Sequence, residues 1–313
     1  MLDMEVNLNS TEMDNSPLAT VLLTSYMAAV ILIGVIGNIF VIYATFKYTT
    51  FGLDKPTMAF IKNLAIADLG VLMLRGVPAL VTHYNGRWVL GSLVCKGVGI
   101  ITVLFSRANM SFTAIIGIHR MLRCTVPQKL MYFGKNHTSF VVLSMWGFAA
   151  LPNIIFAISK IMPSFHEISA TCFIMSHCNP TLFIILILHA VIPLTCSICS
   201  SVVILVITIR HRNGRTTNKV VHLVPLILWT AYTPMLSAQF MHRKYDDEIP
   251  TWVYNLLHHL YFISNSANPI IYCVVNKKFN VFVRKTLNNF KQYTIAAISN
   301  SKKYFMLSSH SSQ

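Results

Sequence analysis

Among the charged side chains within or at the foot of long apolar runs are Asp68, Arg75, Arg107 and Arg120. Ionisable groups in membrane-length apolar segments are costly and mark ion sites, paired networks or ligand contacts. Asp68 is the one carboxylate inside a run. It is either neutralised and paired for structure, or it helps to hold a hard cation, which takes oxygen ligands. Arg75 and Arg107 each need a partner, and two alternatives stay open. One is backbone carbonyls and internal water; the other is the carboxylate or phosphate of a ligand. His189, four residues before Pro193, is either a hydrogen-bonded bundle histidine or a ligand contact. His258 and His259 add further neutral or basic groups to the same half. No nucleophile–base–orienter set is present, so no enzyme is expected. The cysteines lack CxxC or Cys/His spacing, which argues against a zinc site.

The elements that must position these groups follow from composition. The chain has 313 residues, of which 54% are hydrophobic and 11% charged. A soluble domain carries roughly 25% charged residues, so this is the composition of a membrane protein. Seven apolar segments, approximately 18–46, 57–84, 92–123, 138–162, 181–210, 219–241 and 251–275, are long enough to cross a bilayer. Runs of this length without period-2 alternation are helices, not barrel strands. The expected fold is therefore an all-α membrane protein with a seven-transmembrane helix bundle over residues 18–275. An N-terminal tail (1–17) precedes it. A short amphipathic eighth helix (276–290) and a disordered, Ser- and Lys-containing tail (291–313) follow it. In the eighth helix Phe279, Val283 and Leu287 recur every four residues, opposite Lys277, Lys278, Arg284 and Lys285, the pattern of an interfacial helix.

The net charge of +15 is unevenly placed. Bases such as Lys47, Arg123, Arg212, Arg284 and Lys285 flank one end of the spans, where Asp54 is the lone acid. Asp3, Glu5, Glu167, Asp246, Asp247 and Glu248 lie at the other end. The positive-inside rule then predicts a multi-pass protein with its N-terminus outside. Anionic lipid of the inner leaflet, and not nucleic acid, is the partner of those bases. Asn9-Ser10-Thr11 is a glycosylation sequon on the outer side.

The spans carry an ordered set of motifs. These are Gly37-Asn38, then Asn63-Leu64-Ala65-Ile66-Ala67-Asp68, then Cys95 with Arg120 twenty-five residues on, then Trp146 and Pro193. They end with Pro234 in Ala231-Tyr232-Thr233-Pro234 and with Asn268-Pro269-Ile270-Ile271-Tyr272, followed by Phe279. In this order, across residues 20–290, the chain resembles the rhodopsin-like (class A) G-protein-coupled receptors. Some local runs, such as Leu188-His189-Ala190-Val191-Ile192-Pro193, are similar to those of melatonin receptors. Departures such as Asn268-Pro269 and His119-Arg120-Met121 keep that likeness from assigning a ligand.

The resemblance implies a plasma-membrane receptor that binds an extracellular ligand, small and anionic, melatonin-like or peptide, and activates a heterotrimeric G protein. It implies a sodium pocket of Asp68, Asn109, Asn265 and Asn268. The implied disulfide is Cys95–Cys172, with Cys95–Cys178 as the alternative. Allosteric Na+ is the one cofactor implied. Ligand-facing positions would be Thr102, Arg75, Arg107, His189, Tyr232 and His258, and coupling positions Arg120, His119 and Tyr272. Three departures bear on mechanism. Tyr232 stands where the family has a tryptophan, and His119 and Met121 replace the acid and the aromatic beside Arg120. No Asp or Glu lies between Glu167 and Asp246, so the family's second restraint on Arg120 is missing too. The expectation is raised basal activity, pH-sensitive through His119, whose unperturbed pKa is about 6.5. The same losses motivate a rival reading, a non-coupling seven-helix scavenger or adhesion-type protein.

Overall fold

The structure, a computed structural model, describes residues 17–47, 54–126, 135–166, 171–173, 184–185, 187–210, 251–275 and 277–310. The expected sixth span, with Tyr232 and Pro234, lies outside them, as do Asn9 and Cys178. Helix α1 runs Pro17–Lys47, α2 Lys55–Asn85, α3 Gly91–Thr125 and α4 Lys135–Ile158. Helix α5 is Ile192–Arg210, preceded by a π-helical turn, and α6 is Thr251–Val275, the expected seventh span. Among the described residues, five helices are long and apolar enough to cross a membrane. Helix α1 is apolar on every side: it buries Met27, Ile31 and Val41 while Leu32 and Ile36 stay exposed. A helix apolar all round is either buried or in lipid.

Helix α3 is central and packs on α2, α4 and α5, while α1 packs on α2 and α6. The α2–α3–α4 core holds Phe60, Leu64, Phe112, Ile116 and Ala149. Trp146 of α4 donates its Nε1–H to Asn63 Oδ1 of α2 at 2.9 Å. Small residues set the close approaches, as expected where lipid removes most of the hydrophobic drive between helices. A Cβ on Gly37 would come within 2.9 Å of Pro269. A Cβ on Gly70 would fall inside the Phe105 ring, which is itself wedged edge-on against Trp146. Gly70→Ala is therefore expected to cost about 1–3 kcal/mol by overpacking. The measurement is the thermal midpoint of the purified protein in nanodiscs; an unchanged midpoint would mean that Phe105 has room to turn.

Two helices carry a π-helical turn just before a proline. A π-helical turn at Leu72–Gly76 ends two residues before Pro78, and another at Ile187–Val191 ends two residues before Pro193. Proline lacks an N–H, and a wider turn absorbs the missing ladder bond. Arg75 lies on the first turn and His189 on the second.

Two short strands, β1 (Ser164–His166) and β2 (Thr171–Phe173), pair antiparallel with Phe165 opposite Cys172. Cys172 is bonded to Cys95 near the start of α3, with a Cα–Cα distance of 5.3 Å, so the hairpin is pinned over that end of the bundle. Trp88 donates to the Gly91 carbonyl at 2.9 Å and packs on Phe165.

The last helix corrects an expectation. Sequence reading ends it at 290 and leaves 291–313 disordered, but α7 runs Lys277–His310. The physical reason is plain: no Pro or Gly occurs between 277 and 310, so nothing stops the helix. Phe279 and Phe282 are buried against the bundle, whereas Leu287, Tyr293 and Ile295 are exposed.

Candidate functional site

At mid-bundle, the four residues expected to form one pocket do come together. Asp68 is fully buried. Its Oδ1 accepts a bond from Asn109 Nδ2 of α3, and its Oδ2 accepts one from Asn268 Nδ2 of α6 at 2.8 Å. Asn109 Nδ2 also reaches Asn265 Oδ1 at 3.4 Å. The helical break at Pro269 orphans the carbonyl of Asn265, four residues earlier. Asn38 of α1 takes that carbonyl, donating from Nδ2 at 3.0 Å. The sequence does not show this partner, although Asn38 stands in the Gly37-Asn38 motif. The network thus ties α1, α2, α3 and α6 into one polar layer. Asn38 Oδ1 is buried without a partner among the described residues. The two amides donate N–H to Asp68; with a cation between them, the same amides could turn their carbonyl oxygens inward beside the carboxylate. This donor set fits a hard cation.

Toward the disulfide end, the structure separates the two arginines that sequence reading grouped in one outer pocket. Arg75 is 6% exposed, and its guanidinium lies over the Tyr261 ring at 5.1 Å. Its Nε and Nη2 have no hydrogen-bond partner among the described residues. Tyr261 Oη shares a 2.7 Å hydrogen bond with Ser106 Oγ of α3. Thr102, one turn from Ser106 on the same face, is 4% exposed with its Oγ1 also unpartnered. Arg107 sits deeper, two residues from Asn109 and on another face of α3. Its Nη1 approaches Met110 Sδ at 3.9 Å, and it acts electrostatically on His189. His189 is buried and stacks on Phe148 at 4.0 Å. The expected ligand set therefore splits in two: Arg75 and Thr102 between α2, α3 and α6, and Arg107 and His189 toward α4 and α5. The reason is angular: Thr102 and Ser106 are four apart and share a face, whereas Arg107 follows Ser106 by about 100° of helical rotation. Tyr261, which joins the first group, was missed; its place next to Phe262 in sequence was its one signal. Tyr232 and the side chain of His258 lie outside the described residues.

At the opposite end, the lone acid expected on that side, Asp54, lies beside His119 and Arg123 and not Arg120. Asp54 stands at the N-cap position of α2, and Pro56 follows in the first turn. Its carboxylate accepts from Thr57 Oγ1 at 2.7 Å and from Arg123 Nη1, and lies 3.4 Å from His119 Nε2. Thr57 Oγ1 also meets His119 Nδ1 at 3.2 Å. Partial burial raises the Asp54 pKa, but the Thr57 hydroxyl, His119 and Arg123 outweigh it and hold the carboxyl below its usual range. Arg120 itself has no ion-pair partner among the described residues, and its charge reaches Tyr272 of α6. The acid at this end thus engages His119 and Arg123.

With this geometry in hand, likeness to known proteins can be stated. The sequence profile of the family described as 7 transmembrane receptor (rhodopsin family) matches residues 37–272. Chemokine XC receptor 1 of Homo sapiens is 25% identical over 284 residues, covering 87% of this chain and 83% of that protein. Rhodopsin of Sminthopsis crassicaudata is 26% identical over 289 residues, covering 85% and 81%. The crystal structure of squid rhodopsin superposes with a TM-score of 0.74 at 18% identity, covering 88% of each chain.

Proposed function

Since the chain belongs to the rhodopsin family of seven-transmembrane receptors, we propose that it binds an extracellular ligand and catalyses nucleotide exchange on a heterotrimeric G protein. The family is one of receptors and not of enzymes. The reading places the N-terminus and the disulfide outside and Arg120 in the cytoplasm, which the basic flanks of the inner loops support.

One observation carries it. The Asp68 layer links α1, α2, α3 and α6 midway between the buried Arg75 group and Arg120. A ligand shifts a two-state bundle only by its differential affinity for the two states. A polar layer that crosses four helices at a proline break is a bistable element on which such a difference can act. Asp68, Asn109, Asn265 and Asn268 would hold Na+ in one of those states, with Asp68 supplying the charge. Arg120 and Tyr272 then meet the G protein at the opened end.

The rival scavenger reading rested on the missing acid beside Arg120. Asp54 engages His119 and Arg123 and leaves Arg120 available to a partner, and the losses of the aromatic beside Arg120 and of the tryptophan at Tyr232 remain the rival's ground. The deciding experiment measures guanine-nucleotide exchange on a panel of purified heterotrimers in membranes carrying the chain. Exchange above that of vector membranes is expected for at least one heterotrimer. No exchange with any Gα class, at a surface density where a control receptor is active, defeats the proposal.

A further inference from the structure

We propose that the Arg75 guanidinium, with Thr102 beside it, is a carboxylate-binding subsite that anchors a small organic ligand between α2, α3 and α6. The inference rests on the reading of the chain as a ligand-binding receptor and names the chemical class that its site selects.

Three independent features point to it. First, Arg75 is buried and has no carboxylate partner among the described residues. Its π-face neighbour, Tyr261, offers cation–π attraction but no hydrogen-bond acceptor at that face. Asp68, seven residues earlier, spends both oxygens on Asn109 and Asn268. The sequence from 168 to 245 contains no Asp or Glu, so no carboxylate from that stretch can pair with Arg75. A buried unpaired charge is among the costliest groups a fold can hold, and it persists where something binds it.

Second, the two open nitrogens are the matching pair. Nε and Nη2 form the side edge of the guanidinium, whose two N–H bonds run parallel and meet both oxygens of one carboxylate. Random crowding gives no reason for those two nitrogens together to be left open. A carboxylate fits them in a planar, bidentate fashion, which a spherical ion does not.

Third, the surroundings fix the approach. Tyr261 and Ser106 hydrogen-bond to each other and so fix the floor of the site. Thr102 keeps an unpartnered buried hydroxyl one turn nearer the disulfide, on the face Ser106 shares. It can donate to a carboxylate oxygen or to the first polar atom of the ligand body. Arg75 itself is carried on a π-helical turn. Such turns recur at functional sites.

The test uses the purified full chain in nanodiscs and follows its thermal midpoint at constant ionic strength. The probes are acetate, its neutral isostere acetamide, and chloride, each up to about 100 mM. Acetate is expected to raise the midpoint by about 2–5 °C, as a millimolar ligand of the folded state would. Acetamide should leave it in place. The shift should vanish in Arg75→Met, shrink in Thr102→Val and persist in Arg107→Met. Arg75→Lys, which keeps the charge but not the fork, should lose most of it and covers the case in which Arg75→Met fails to fold. Equal shifts in wild type and the Arg75 variants overturn the proposal, as does no acetate shift in wild type. A shift from chloride that equals or exceeds that from acetate overturns the carboxylate assignment. Nucleotide exchange measured on the same preparations separates the two readings. Exchange without an acetate shift removes the subsite alone, and an acetate shift without exchange removes the coupled-receptor reading alone.

Discussion

Arg120→Ala is expected to reduce G-protein nucleotide exchange by at least about tenfold at matched surface density, because a hydrogen-bonded charge contributes about 1.5–3 kcal/mol. The argument begins with what does not hold this side chain. The charge nearest to it in sequence that could restrain it, at position 119, is a histidine and not an acid. The acid that packing brings to that end, Asp54, contacts His119 and Arg123 instead. Arg120 is left half-buried on the last turns of α3, beside Tyr272 of α6. A guanidinium in that position needs no partner broken before it swings to meet another surface. Its loss should therefore lower exchange without lowering the thermal midpoint, a split that a merely structural arginine would not show. Arg120→Lys should recover only part of the exchange, because a point charge lacks the planar fork. Wild-type exchange in Arg120→Ala, at equal surface expression, would remove Arg120 from the coupling surface.

What could be read from the sequence, and what could not, follows from the range of each interaction. The polar layer was legible because Asp68, Asn109 and Asn268 sit at fixed helical distances from motif residues on their own helices. Helix geometry carries such spacing into space. Asn38 escaped assignment because its target is a carbonyl freed by Pro269, and a backbone acceptor leaves no mark on residue type. The split between Arg75 and Arg107 was hidden for a related reason. Both count as basic residues in outer apolar runs, but a one-residue step beyond Ser106 turns Arg107 to another side of α3. The clamp at Asp54 was the least legible. Asp54 precedes a Pro at the start of α2, so its N-cap position was readable. That the same carboxylate would reach His119 and Arg123, 65 and 69 residues on, depends on how α2 lies across α3. The end of α7 was misplaced by reading polarity as disorder where no helix breaker exists.

Asp54→Ala should raise basal exchange by roughly three- to tenfold and lower the thermal midpoint by about 2–6 °C. Asp54 does two things at once: from the N-cap position of α2 it accepts the Thr57 hydroxyl, and it faces the two basic side chains of α3. The Thr57 hydroxyl bond to the carboxylate contributes about 1–2 kcal/mol. The Arg123 pair adds at most about 1, since Arg123 is 41% exposed and solvent screens it. Removing them loosens α3 from α2 beside Arg120, and a change of about 1.4 kcal/mol in a two-state balance is tenfold in population. The sign of the pH effect follows from the direction of the Asp54 shift. A carboxyl held below its usual range stabilises the fold above its unfolded pKa of about 4 and loses that contribution as pH falls through the lower folded value. Between pH 5 and 8 Asp54 stays charged, so it adds no pH dependence to basal exchange in that window. The clamp also reverses the expectation for His119→Asp. Beside Arg120 alone, a new acid would restrain the arginine and lower basal exchange. Opposite Asp54 it sets two carboxylates within contact, and like charges that close repel. His119→Asp should therefore leave basal exchange unchanged or raise it, and only the double variant Asp54→Asn/His119→Asp should lower it. If His119→Asp alone lowers basal exchange, Asp54 is not the group that restrains this end of the bundle.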